Sequence, residues 1–205
     1  MAAQAWVTAD THFGHEEAIG LFSRPVHDCG EMDDLLIDRI NARVGRRDRL
    51  IHLGDFMGPM RWSGKEGKAS VERARSLRER IRCRSVELVR GNHDPAKRSF
   101  ERLFDAVHDI LSFRGWKGGE DRIVCCHYPM RSWQGMWNGA LHLYGHAHGA
   151  ACEEGRSCDV GVDCWDLGPV PLDDVCAMLA SRPLPERGAG GSGRQPSRAP
   201  LPSTP

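Results

Sequence analysis

This sequence has no net charge, no long apolar run, no Cys-x-x-Cys pair and no internal repeat, and each absence narrows what it can be. Twenty-eight Lys and Arg balance 28 Asp and Glu, so no global field draws the chain to nucleic acid or to a membrane surface. No charged-then-apolar segment opens it, and Trp6-Val7 is far too short to span a bilayer. The expectation is a cytoplasmic protein without membrane contact. Eight cysteines in a chain of this length, with no secretion signal, read as reduced and mostly buried thiols. Without a Cys-x-x-Cys pair a structural zinc site is not expected.

What is present has a clear order. The 205 residues suffice for one domain with a full α/β core, set at 1–182. From residue 183 to 205 the chain turns to Pro, Gly, Ser and Arg and is expected to be a disordered tail. Short apolar, β-branched runs predict strands at 5–9, 49–53, 86–89, 123–126 and 141–144. Apolar residues at helical spacing predict helices over 31–44 and 70–82, and a last one from Pro171 to Ala180. Strand–helix alternation argues for an α/β fold.

A polar cluster follows each of the five strands: Asp10-Thr11-His12, Gly54-Asp55, Gly91-Asn92-His93-Asp94, His127, and Gly145-His146-Ala147-His148. Open α/β sheets bind ligands at the carboxyl ends of their strands. Two dications about 3.5–4 Å apart call for a bridging carboxylate and several neutral imidazoles. Asp10, His12 and His148 could hold one ion. Asn92, His127 and His146 could hold the other, with Asp55 between them. Asp10, Asp55 and a bridging hydroxide leave residual positive charge, which suits an incoming phosphate. The donors suit manganese first, with iron, zinc or nickel as alternatives.

The series D-x-H, GD, GNHD, H and GHxH resembles the calcineurin-like metallophosphoesterase superfamily. The stretches THFGH at 11–15, HLGDF at 52–56 and VGVD at 160–163 look like its small, uncapped bacterial and phage members. The resemblance implies a two-sheet β-sandwich flanked by helices, a four-layer α/β/β/α arrangement. It implies a metal-dependent phosphoric ester hydrolase in which a metal-bridging hydroxide attacks phosphorus, acting on a phosphomonoester or phosphodiester of a small or nucleotide-like substrate. It also makes His93 the residue that contacts phosphate and protonates the leaving oxygen. Protein Ser/Thr phosphatases support that histidine with an Asp three residues after the bridging one. Here that position is Gly58, so either support comes from elsewhere, Asp94 being the candidate, or the histidine plays a weaker role.

Other residues carry two readings. His27, His52, His108 and His142 read as surface or structural. Cys125 shares a strand face with His127, but a buried thiol is the simpler reading. His15, three residues past His12, is within reach of substrate. In the segment 131–137, Arg131 could grip phosphate and Trp133 or Trp137 could stack a base; the alternative is ordinary loop packing. Ten Arg or Lys against four Glu in 61–90 suggest either a nucleic-acid patch or a solvated helix face. The rivals are thus a nuclease, with nucleic acid a less favoured partner, and an inactive metal-binding scaffold. Oligomeric state has no signature in the sequence.

Overall fold

A computed structural model describes residues 3–115, 122–151 and 155–184. Most of the expected tail therefore lies outside the described residues. Two sheets form the fold. The first has the order β4 (Ala106–His108), β3 (Ser85–Val89), β2 (Arg49–His52), β1 (Ala5–Thr8), β9 (Val170–Pro171). Its strands are parallel except β9, which pairs antiparallel with β1. The second has the order β5 (Ile110–Arg114), β6 (Arg122–Cys126), β7 (Leu141–Tyr144), β8 (Ser157–Asp159), antiparallel only between β5 and β6.

Side chains alternate across each strand, and the two faces have different partners. Val7 and Ile51 of the first sheet meet Ile123, Cys125, Leu141 and Leu143 of the second, forming the core between the sheets. Leu50, Val86 and Leu88 face outward beneath α2 (Cys29–Arg43) and α3 (Gly64–Arg80). Both helices obey the period expected of them: Met32, Leu36 and Ile40 are buried on α2, and Val71, Ala74 and Leu77 on α3. Asp28 caps α2 by accepting from the Glu31 N–H at 2.9 Å. The last helix, α5 (Leu172–Ala180), buries Leu172, Val175 and Leu179 against the core between the sheets. Short helices α1 (Glu17–Leu21) and α4 (Arg98–Glu101) complete the set.

The outer face of the second sheet is covered differently. Val124 packs there with Trp133, Met136 and Ala140 of the segment that follows β6. Trp133 is buried, donates its indole N–H to the Ala140 carbonyl at 2.8 Å, and lies against His142. It is a wall of the core, and the base-stacking reading of Trp133 is replaced by this one. Trp137 stays exposed. Among the described residues no helix is long and apolar enough to cross a membrane.

Five of the ten basic residues in 61–90 are answered by acids. Arg61, Arg73, Arg75 and Arg80 meet Glu66, Asp33, Glu72 and Asp34, and Arg90 meets Glu101 and Asp109. Two of those acids belong to α2, outside the stretch itself, so the sequence window overstated the local charge.

Candidate metal centre

Every cluster named from the sequence sits just past the carboxyl end of its strand. The first sheet supplies Asp10 and His12 after β1, Asp55 after β2, and Asn92 and His93 after β3. The second supplies His127 after β6, and His146 and His148 after β7. The loops are stitched together beyond the strands: Asp10 N–H to Gly54 O, His12 N–H to Asp55 O, both 3.0 Å, and Gly145 N–H to His127 O, 2.9 Å. Gly54, at φ +97°, is required here, because a Cβ on it would come within 2.6 Å of the Gly91 nitrogen and of His127 Nδ1.

Ligand atoms of Asp10, His12 and His148 lie within 4.8 Å of one another, as do those of Asp55, His127 and His146. A third such set, His12, Asp55 and His93, overlaps both. Asp55 is the hub: its Oδ2 is 3.4 Å from His127 Nε2, 3.6 Å from His12 Nε2 and 3.8 Å from His93 Nε2. Its other oxygen accepts the His93 backbone N–H at 2.9 Å. Asp10, His12, Asp55, His146 and His148 all have left-handed backbones, with φ between 47° and 68°. Such geometry is unfavourable for non-glycine residues and persists only where the surroundings impose it.

The polar accounting shows what is missing from the cluster. His12 is 3 % exposed, yet neither ring nitrogen has a hydrogen-bond partner. Buried polar atoms are seldom left so. His127 donates Nδ1–H to the Leu53 carbonyl at 2.8 Å, which turns its Nε2 lone pair toward Asn92 Oδ1, 3.0 Å away. Asp55 Oδ2 faces the same point. Three acceptors converge there, an arrangement that a cation satisfies.

The titration behaviour agrees. Burial pushes His12 down to about 3, and burial also lowers His146. His12 is therefore neutral, as a metal ligand must be, and the more exposed His146 is shifted in the same direction. Burial pushes the Asp10 carboxyl well above its ordinary range. Burial acts likewise on Asp55, but the hydrogen bond and charge of His127 outweigh it and hold Asp55 at about 2. His127 is raised in turn: the Asp55 carboxylate overcomes its desolvation. The donor set of carboxylates, imidazoles and one amide fits divalent transition metals.

The remaining candidates divide. His15 stands beside the cluster, with ring centroids 5.3 Å from His12 and 6.4 Å from His93. Gly58 explains its place, since a Cβ at Gly58 would collide with the His15 Cβ. Asp94 does not support the His93 ring. It is buried and accepts backbone N–H groups of Asp55, Phe56 and Gly91 at 2.8–3.1 Å, bracing the loop. Its carboxyl, pushed up by burial to about 6, is spent on those donors. No hydrogen bond or ion pair of the described cluster involves Arg131, which is exposed. Cys125 is sealed in the core, its thiol pushed up by burial. His52 and His142 are fully buried within strands, as their structural reading requires.

Three neighbours of the cluster carried little signal in the sequence. Phe22 stacks on the His148 ring at 3.5 Å and 8°. Asp163 accepts from or caps His148 Nδ1 at 2.7 Å, and buried Arg24 holds Asp163 at 2.9 Å. Asp163 lies in the VGVD stretch, its one sequence clue; Phe22 and Arg24 had none.

A family model described as calcineurin-like phosphoesterase matches residues 4–177. No curated protein matches the chain. Among solved structures, a protein of unknown function from Aquifex aeolicus shares the fold, with TM-score 0.62 and 22 % identity over 86 % of this chain and 100 % of that one. The chain is also similar to a nuclease from Pseudomonas putida, with TM-score 0.43 and 22 % identity over 70 % and 61 % of the two chains. A third similarity is to an archaeal phosphodiesterase, with TM-score 0.42 and 15 % identity over 77 % and 82 %.

Proposed function

Because the chain belongs to the calcineurin-like phosphoesterase family, we propose that it hydrolyses phosphomonoester or phosphodiester bonds of a small or nucleotide-like substrate at a two-metal centre. The proposed ligands are Asp10, His12 and His148 for one ion, Asn92, His127 and His146 for the other, and Asp55 for both. The observation that supports this reading most is the Asp55 carboxylate, with the Nε2 atoms of His12, His127 and His93 all between 3.4 and 3.8 Å from one oxygen.

Divalent ions, manganese first among them, would supply charge stabilisation of the phosphoryl oxygens and a nucleophile at neutral pH. The protein's own groups do the rest. Burial keeps His12 unprotonated, and Leu53 O accepts from His127 Nδ1 and orients its ring. His93, half-buried above Asp55, holds the proton that the leaving oxygen takes up. His15, seated in the space that Gly58 leaves open, joins His93 on the phosphate. Arg131 is the rim cation that meets the substrate as it enters. Nucleic acid ranks behind small esters as a substrate, because half of the 61–90 basic residues are paired with acids and the chain carries no net charge.

Asp55→Asn tests this reading. Turnover of phosphoester substrates by the manganese-loaded protein should vanish, and metal content should fall. Full activity of that variant in metal-depleted buffer would end the two-metal proposal.

A further inference from the structure

The two proposed metal positions are supported very unequally. Around Asp10, His12 and His148 the fold builds a buried charged frame. The Arg24 side chain is 1 % exposed. It donates to the carbonyl oxygens of Asp10 and Thr11, both at 2.8 Å, and so grips the strained turn that carries Asp10 and His12. Its Nε and Nη2 reach the two oxygens of Asp163 at 2.9 and 3.0 Å. Asp163 Oδ2 then meets His148 Nδ1 at 2.7 Å, and Phe22 lies flat on the same ring. One guanidinium thereby fixes the backbone of two proposed ligands and, through one carboxylate, the ring of the third.

The other position has no such frame among the described residues. Asn92 and His146 are exposed. Asn92 touches only His127 by hydrogen bond, and His146 is flanked by the rings of His127 and Tyr128. The far nitrogen of His127 is hydrogen-bonded to a neutral carbonyl at 2.8 Å, and the nearest carboxylate oxygen to it, Asp10 Oδ1, is 3.9 Å away. A carboxylate on the far nitrogen of a ligating imidazole orients the ring and raises its basicity, and loss of such partners weakens metal binding about 10–100-fold.

We infer that Arg24 and Asp163 are positioning residues that make the Asp10–His12–His148 position the tight one, while the Asn92–His127–His146 position exchanges its ion with the medium. The inference rests on the two-metal reading above. It predicts a protein that holds one ion persistently and becomes fully loaded only when free metal is plentiful.

The test is equilibrium dialysis of the chelator-stripped full chain against graded Mn²⁺, with bound metal counted by mass spectrometry and no activity measured. The wild type should fill in two steps, the first at a free Mn²⁺ at least about tenfold below the second. Asp163→Ala and Arg24→Gln should move the first step up by about 10–100-fold and leave the second in place. Asp163→Asn, which keeps the shape and loses the charge, should give a smaller shift in the same direction and serves if Arg24→Gln fails to fold. His146→Ala should erase the second step alone. Two equal steps in the wild type, or equal weakening of both steps in Asp163→Ala, would overturn the inference and leave the two-metal reading standing. A wild type that binds no Mn²⁺, or only one ion, would overturn both.

Discussion

The strands and the loops just beyond them hold their histidines in opposite ways. His142, inside β7, is fully buried and fully answered: it sits 3.0 Å from Val124 O through Nδ1 and accepts the Met130 N–H at Nε2, 3.1 Å away. His52, inside β2, meets the Thr11 hydroxyl at 3.0 Å. That hydroxyl has one proton and gives it to Phe56 O, so His52 must donate through Nε2, while its Nδ1 has no partner. Four residues past the end of β1, His12 is equally buried but has a left-handed backbone and no hydrogen-bond partner. Burial alone therefore does not mark a functional histidine. A ring answered at one nitrogen or both on regular backbone is architecture, while a ring answered at neither on strained backbone is held for something the protein does not supply.

The largest expected effects come from removing one histidine of each kind. His12→Ala should remove turnover and metal from its position, yet should not lower the melting temperature of the metal-stripped protein, because the orphaned ring goes with it. His142→Ala should do the reverse. It leaves the Met130 N–H and the Val124 carbonyl without their partner, a loss of about 2–3 kcal/mol. For a chain of this size that is a fall of roughly 4–10 °C. Its metal content should stay that of the wild type. If His142→Ala loses metal with its stability intact, the division between strand and loop histidines is wrong.

His93 sharpens the loop side of the comparison, since it is a loop histidine proposed to act on substrate. An alkoxide needs a proton to leave and a nitrophenolate does not. His93→Ala should slow alkyl or nucleoside phosphoesters by about 10²–10⁴-fold and nitrophenyl esters much less. Equal slowing of both would assign His93 to holding phosphate instead.

The smallest effect is on stability against pH, measured on metal-stripped protein. Burial holds His52 at about 3, well below its unfolded value near 6.5. The folded state then binds fewer protons than the unfolded one, so stability rises with pH across that window. The contribution of His52 is present above about 6.5 and is lost progressively as pH falls toward 3. Asp10 and Asp94, which burial raises, act with the opposite sign, so the residue is isolated by difference. The slope of melting temperature between pH 6.5 and 4 should be shallower in His52→Gln than in wild type. Identical slopes would mean that His52 is not the titrating group.

Much of this molecule was legible residue by residue. Strands over 49–53, 86–89, 123–126 and 141–144, and helices over 31–44 and 70–82, follow from local pattern and recur within a few residues in the fold. The polar clusters follow those strands immediately, so their place at the carboxyl edge needed only the strands. β4, β8 and β9 have no clear local pattern because strands of two or three residues are defined by the partner they pair with, and β5 has none because it buries no residue fully. Trp133 was misjudged for a related reason. A tryptophan in a polar loop looks like a rim residue until the loop folds back over the outer face of β6.

The family pattern, the α/β class and the seven candidate ligands are legible along the chain, since each rests on neighbours within a few positions. Tertiary structure decided how those residues are held. Arg24 and Asp163 are 139 positions apart, and Asp94 reaches back 39 positions to the Asp55 N–H. His15 owes its place to a side chain that Gly58 does not have. Such contacts depend on which loops the two sheets bring to one edge, and no local pattern of hydrophobic spacing or turn chemistry encodes that distance.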